Sequence, residues 1–228
     1  MTTQSLANAS ADAMPFPDGY FHAICTSPPY KGLRSYMGNA PRVWPGGAYA
    51  PVLGAPACMV IAGPPAADLD KCIHEWGDEL PPFHPNQVEQ TLSGKRATSV
   101  GVAGASGTGH ACLRCGAWRG NFGAEPTVPM YVWHTLLILR ECKRVLRDDG
   151  ILWYNIGDSY RSAKSRYQNS PQTMHNGNMR DLPPAKHDDY GKGNDGDLLG
   201  IPSLVQHAAQ SDGWVVRNDL VLWKKSCM

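Results

Sequence analysis

The chain has 228 residues, 42% of them hydrophobic and 18% charged, which suits one soluble globular domain or a core with a small satellite. A formal net charge of +1 excludes recognition of nucleic acid by bulk charge. Phosphate contacts would have to come from local groups such as Lys31, Arg34 and Arg42, or Arg114 and Arg119. The first residues, MTTQSLANASADAMPF, lack the basic start and apolar stretch of a signal peptide, and no apolar run reaches membrane-spanning length. The expected setting is cytoplasmic, where the seven cysteines stay reduced and their spacing calls for a reason other than disulfides.

In chain order, residues 20–26 (YFHAICT) predict a buried strand that stops at a Pro-Pro pair. Residues 37–124 are rich in Gly, Pro, Ala and Ser without long periodicity, and read as an inserted subdomain. Residues 129–146 (PMYVWHTLLILRECKRVL) carry apolar positions at helical spacing with cations near the end, and Asp148-Asp149-Gly150 should terminate that helix. A second buried strand is expected at 151–157 (ILWYNIG), followed by a polar, mobile loop at about 161–197. Residues 201–213 predict a helix closed by glycine, and 214–225 (WVVRNDLVLWKK) one or two closing strands. Alternation of strand and helix defines an α/β sheet covered by helices. The expected divisions are 1–36, 37–124 and 125–228.

Thr26-Ser27-Pro28-Pro29-Tyr30 lies where such sheets bind ligands, at the carboxyl end of a strand. An exocyclic base amine is a poor nucleophile, because its lone pair is delocalised into the ring. Acceptors at its protons favour the pyramidal geometry needed to attack a methyl sulfonium. The Ser27 side chain and the Pro28 carbonyl can act as those acceptors, Pro28 and Pro29 stiffen the backbone, and Tyr30 offers a face for a base turned out of the duplex. As a bare tetrapeptide the same residues also make a proline-stiffened turn. Carbon-5 cytosine methylation would need an activated cysteine, usually in a Pro-Cys pair, and the chain has no Pro-Cys.

Residues 26–36 (TSPPYKGLRSY), 144–160 (RVLRDDGILWYNIGDSY) and 198–225 (LLGIPSLVQHAAQSDGWVVRNDLVLWKK) resemble, in the same order, motifs of the beta-class N4-cytosine/N6-adenine DNA methyltransferases. The resemblance implies a partial Rossmann-like methyltransferase sheet, S-adenosylmethionine as cofactor and double-stranded DNA as partner, in restriction–modification. It also implies a target-base site of Ser27, Pro28, Pro29 and Tyr30, and serine at position 27 leans toward cytosine N4 over adenine N6. The family's acidic-Pro-Phe-x-Gly-x-Gly cofactor turn has no match, so the expectation is the catalytic half of a permuted enzyme, a fragment or split subunit completed by a C-terminal half or second chain. The glycine runs at 101–109 and 191–196 do not substitute, because neither follows a buried strand and opens a helix.

Cys72-Ile73-His74 and Cys112-Leu113-Arg114-Cys115 supply a Cys3His set for tetrahedral Zn²⁺, and Gly116 suits a knuckle whose backbone N–H groups turn toward thiolates. A redox cysteine pair or unrelated buried thiols are the other readings of these spacings. Some members of the resembled family carry a similar Cys-x-His and Cys-x-x-Cys-Gly-Ala-Trp insertion. Two other functions remain open at this point. Methylation of a protein glutamine amide uses an Asn-Pro-Pro-Tyr turn, with its cofactor motif placed before the turn. A non-catalytic, zinc-bearing nucleic-acid-binding module is the alternative of a different class.

Overall fold

The computed structural model describes residues 7–31, 41–50, 59–62, 69, 71–80, 109–160 and 197–222. All but the last of the residues expected to form a mobile loop, the glycine run at 191–196 and nearly all of the run at 101–109 lie outside these, as do Arg34, Cys58 and Cys227.

The centre of the molecule is α1 (Val128–Val145). The Thr127 side chain accepts from the Met130 N–H at 3.3 Å, Pro129 occupies the first turn, and Lys143 and Arg144 face the carbonyl end of the dipole. Val128, Tyr131, Val132, Leu136 and Leu139 form the main core with Ile201, Val205 and Ala208 of α2 (Ile201–Ser211). β1 (Phe21–Thr26) and β8 (Leu146–Tyr154) form a parallel pair beside α1, with Ile24 and Leu152 turned toward the core.

The approach to β1 is set by Arg144. Its guanidinium donates to the Met14 and Phe16 carbonyls at 3.0 and 2.9 Å and pairs with Asp18 and Glu141, while the Gly19 N–H donates to the Arg144 carbonyl at 2.9 Å. Pairing with Arg144 holds the Glu141 carboxyl below its ordinary range.

Three expectations are corrected here. The helix ends at Val145, before Asp148-Asp149-Gly150, which lie within β8 as a bulge: Leu146 faces Phe21 while Ile151 already faces Ala23. Neither parallel strand is buried on both faces, since Cys25, Ile151 and Trp153 are exposed. A parallel strand is hidden only when helices cover both sides, and the described helices cover one. Residues 214–222 make no strand, because no described strand runs alongside to supply ladder partners.

The 37–124 segment contributes β2 (Arg42–Trp44), β3 (Gly47–Ala50), β4 (Met59–Ala62), β5 (Trp76–Leu80), β6 (Gly109–Cys112) and β7 (Trp118–Gly120). An antiparallel sheet runs in the order β2-β7-β6-β5, and β3 and β4 form a separate hairpin. Tyr49 joins the α1 core, and Trp44 and Trp118 pack with Ile138 and Cys142 of the same helix. Among the described residues no helix is long and apolar enough to cross a membrane.

The α2 amino end is capped from a distance. Asp158, in the turn after β8, accepts from the Gly200 and Ile201 N–H groups at 3.0 and 3.1 Å. Asp158→Ala should therefore lower stability by about 1 kcal/mol, read as a reduced urea midpoint at unchanged slope.

Candidate functional site

The parallel pair brings two turns together at its carboxyl end. The Thr26 carbonyl accepts from the Asn155 N–H at 2.9 Å, so pairing persists to the last residue of β1. Ser27–Tyr30 then leaves β1 beside Gly157–Tyr160 leaving β8. Ser27 is exposed, Pro28 is buried, and Pro29 and Tyr30 are half-buried. The Ser27 hydroxyl lies 3.4 Å from the Tyr30 phenol oxygen. The Tyr30 ring lies against Gly157, where a Cβ would meet the ring at 2.8 Å.

The turn is held from behind. The Tyr131 hydroxyl, on α1, donates to the Pro29 carbonyl at 3.1 Å, and burial raises its pKa far above the ordinary phenol value. It therefore stays a donor at any working pH. Ser159 donates to the Lys31 carbonyl at 3.1 Å. With the Pro29 carbonyl occupied by Tyr131, Pro28 is the proline whose carbonyl the chemistry outlined above would use. Sequence reasoning missed Tyr131: its place in an apolar helical pattern gave no sign that its hydroxyl reaches this turn.

Cys72, His74, Cys112 and Cys115 also come together, with their four ligand atoms all within 4.8 Å of one another. A tetrahedral zinc with Zn–S of about 2.3 Å has ligand–ligand edges of about 3.8 Å, so a small inward movement would close the set. Cys112 ends β6, Cys115 follows in the turn, and Gly116 adopts φ 71°, donating to the Cys112 carbonyl at 2.9 Å. His74 lies 3.5 Å from the Cys115 sulfur and stacks on Trp76 at 4.8 Å between ring centroids. Burial raises the Cys72 thiol to about 11, helped by the neighbouring Cys115 and Cys112 sulfurs. Burial acts the same way on Cys112, but the Cys115 N–H, the His74 side chain and the Arg114 and Glu75 N–H groups outweigh it and bring that thiol down to about 5. Backbone donors turned toward a sulfur are what a thiolate ligand needs, so the set fits a soft divalent metal.

Among the described residues, the cations considered for phosphate contact are engaged within the chain. Arg42 pairs with Asp12, Arg114 with Glu75 at 3.2 Å, Arg119 lies over the Trp76 ring at 4.8 Å, and Lys31 is buried. A surface depression lined by Gly19 and Arg147–Asp149 is at the amino end of β1, away from both sites.

An α/β core with a proline-stiffened turn at the carboxyl end of a parallel strand is the arrangement in which open α/β sheets bind ligands. The DNA methylase model of the N6/N4 methyltransferase group matches residues 21–228, and the chain belongs to that family. Relatives include the Type II methyltransferase M.SmaI of Serratia marcescens, 34% identical over 47% of this chain and 36% of that protein. M.XycI of Xanthomonas campestris pv. cyanopsidis is 40% identical and M.Cfr9I of Citrobacter freundii 38%, each over 45% of this chain and 33% of the relative. The match thus spans about a third of the length of these relatives. No solved structure matches the chain.

Proposed function

We propose that the chain carries the target-base site of a site-specific DNA methyltransferase acting on an exocyclic amine of a base flipped from double-stranded DNA, cytosine N4 ahead of adenine N6. The observation carrying this reading is the Ser27–Tyr30 turn at the carboxyl end of β1, pinned by Tyr131 and backed by Gly157. Membership of the DNA methylase family and similarity to Type II methyltransferases support it, as well as a restriction–modification setting.

In this reading Ser27 and the Pro28 carbonyl accept from the two amine protons and draw the nitrogen toward a pyramid. The Tyr30 ring bears on the base, and its contact with Gly157 keeps it from retreating. S-adenosylmethionine supplies the electrophilic methyl group when bound. Its cradle does not fit the described residues: the Tyr30 ring fills the space at Gly157, and the Asp158 carboxylate is taken by the α2 amino end. The donor pocket is accordingly assigned to a completing half or subunit. Calorimetric titration of the purified chain with S-adenosylmethionine should show no micromolar uptake. Uptake with methyl transfer to DNA would place a whole site in this chain.

Cys72, His74, Cys112 and Cys115 are proposed to hold one structural zinc within the 37–124 subdomain, between the 1–36 and 125–228 segments. The function is tested by mass spectrometry of nucleosides from DNA treated with the enzyme that carries this chain. N4-methylcytosine is the expected product. N6-methyladenine alone would reverse the order of the bases, and zinc-dependent DNA binding without any methylated base would favour a binding module.

A further inference from the structure

Glu125 and His134 are fully buried, and neither belongs to the turn or the cysteine cluster. A buried charged pair is seldom the most stable filling for its space, and an apolar pair of similar volume often does as well. The geometry here gives the pair something an apolar filling could not hold. One Glu125 carboxylate oxygen lies 3.1 Å from His134 Nδ1, and the other accepts from the Gly123 N–H at 2.9 Å. His134 Nε2 faces the Pro45 carbonyl at 3.3 Å. One proton between Glu125 and Nδ1 and one on Nε2 satisfy every polar atom of the pair.

Each end of this network leads to a functional element. Gly123, at φ 94°, presses on the target-base turn: a Cβ there would meet the Pro29 Cβ at 2.9 Å and the Pro29 and Tyr30 carbonyl oxygens at 3.4 Å. Tyr131, one helical turn before His134, reaches the same turn directly through the Pro29 carbonyl. Pro29, Tyr131, α1, His134, Glu125 and Gly123 therefore form a closed ring of contacts, and Phe122 stacks on Tyr131 at 5.2 Å inside it. On the other side the His134 ring stacks on Trp44 of β2 and Trp118 of β7, with centroids 5.0 and 5.5 Å away. β7 pairs with β6, the strand that ends at Cys112.

We propose that Glu125, acting with His134, is a positioning residue that fixes the Ser27–Tyr30 turn through Gly123 and ties it to the sheet bearing the Cys/His cluster. The functional meaning of this placement rests on the reading of that turn as the target-base site. The test needs neither DNA nor methyl donor, so its failure is separate from failure of that reading.

The chain is labelled with 3-fluorotyrosine, and the Tyr30 signal is assigned as the ¹⁹F resonance lost in Tyr30→Phe. Glu125→Ala should shift or broaden that resonance by more than its linewidth. Glu125→Gln should restore it, because the amide still accepts from Gly123 and can donate to Nδ1. Val205→Ala, which removes packing from α2 in the same core, should leave it in place. If Glu125→Ala does not fold by circular dichroism, Gly123→Ala carries the same test, since its Cβ must displace Pro29. An unmoved Tyr30 resonance in a folded Glu125→Ala or Gly123→Ala chain overturns the proposal. So does an equal shift in Val205→Ala, or no restoration in Glu125→Gln.

Discussion

Tyr30→Ala and Ser27→Ala should each reduce methyl transfer by roughly two orders of magnitude in the enzyme that carries this chain, with Tyr30→Phe close to unchanged. Stacking on an aromatic ring is worth ~1–3 kcal/mol per base, and Gly157 holds the Tyr30 ring in place, so truncation removes a preorganised platform. In the proposed mechanism Ser27 accepts from the reacting nitrogen itself. Removing one preorganised polar partner from a transition state costs ~10²–10³ in turnover in the best-studied acyl-transfer sites. The effect of Ser27→Ala should fall on kcat rather than KM, because the hydroxyl matters most as the amine pyramidalises. Tyr30→Phe keeps the ring and loses only the phenol oxygen 3.4 Å from Ser27. Single-turnover methylation of a short duplex reads all three variants. Near-normal rates in both alanine variants would remove the turn from the mechanism.

The second large effect is expected at the cysteine cluster. The chain prepared under reducing conditions should carry one zinc, and Cys112→Ser should reduce that to nearly none, while Cys25→Ser leaves it intact. Structural zinc contributes an apparent ~10–16 kcal/mol in small zinc-folded peptides, as much as the ~5–15 kcal/mol that holds a typical domain together. Residues 71–80 meet the β6–β7 hairpin through the β5–β6 ladder, the Leu113 N–H to the Glu75 carbonyl at 2.8 Å and the four ligands. Chelation should therefore release this segment first, seen as rapid amide exchange there, while α1 and α2 keep their helical signal. Substitution with Co²⁺ should give the absorption of a tetrahedral thiolate site. Since thiols must lose protons to bind, affinity should weaken as pH falls. Full metal content in Cys112→Ser, or equal loss in Cys25→Ser, would sink the assignment.

What the sequence determined by itself is what neighbours along the chain decide. Pro129 and the apolar spacing after it mark α1, Gly213 closes α2, and the Pro-Pro pair stops β1, because ring constraints, helix stops and helical periodicity act within a few residues. The proposed Ser27–Tyr30 site and the four proposed ligands were readable for the same reason, each being a short pattern of recognisable residue types. Tertiary structure decided the rest. The Tyr131 hydroxyl reaches Pro29 across 102 positions, and His134 meets Pro45 across 89. In the sequence both are simply members of an apolar helix. Residues 214–222 have the composition of strands and form none, and β8 absorbs Asp148-Asp149-Gly150 as a bulge where the local pattern predicted only a helix stop. Strand formation depends on a partner strand to take its N–H and C=O groups, and no local pattern of residues says whether that partner lies alongside.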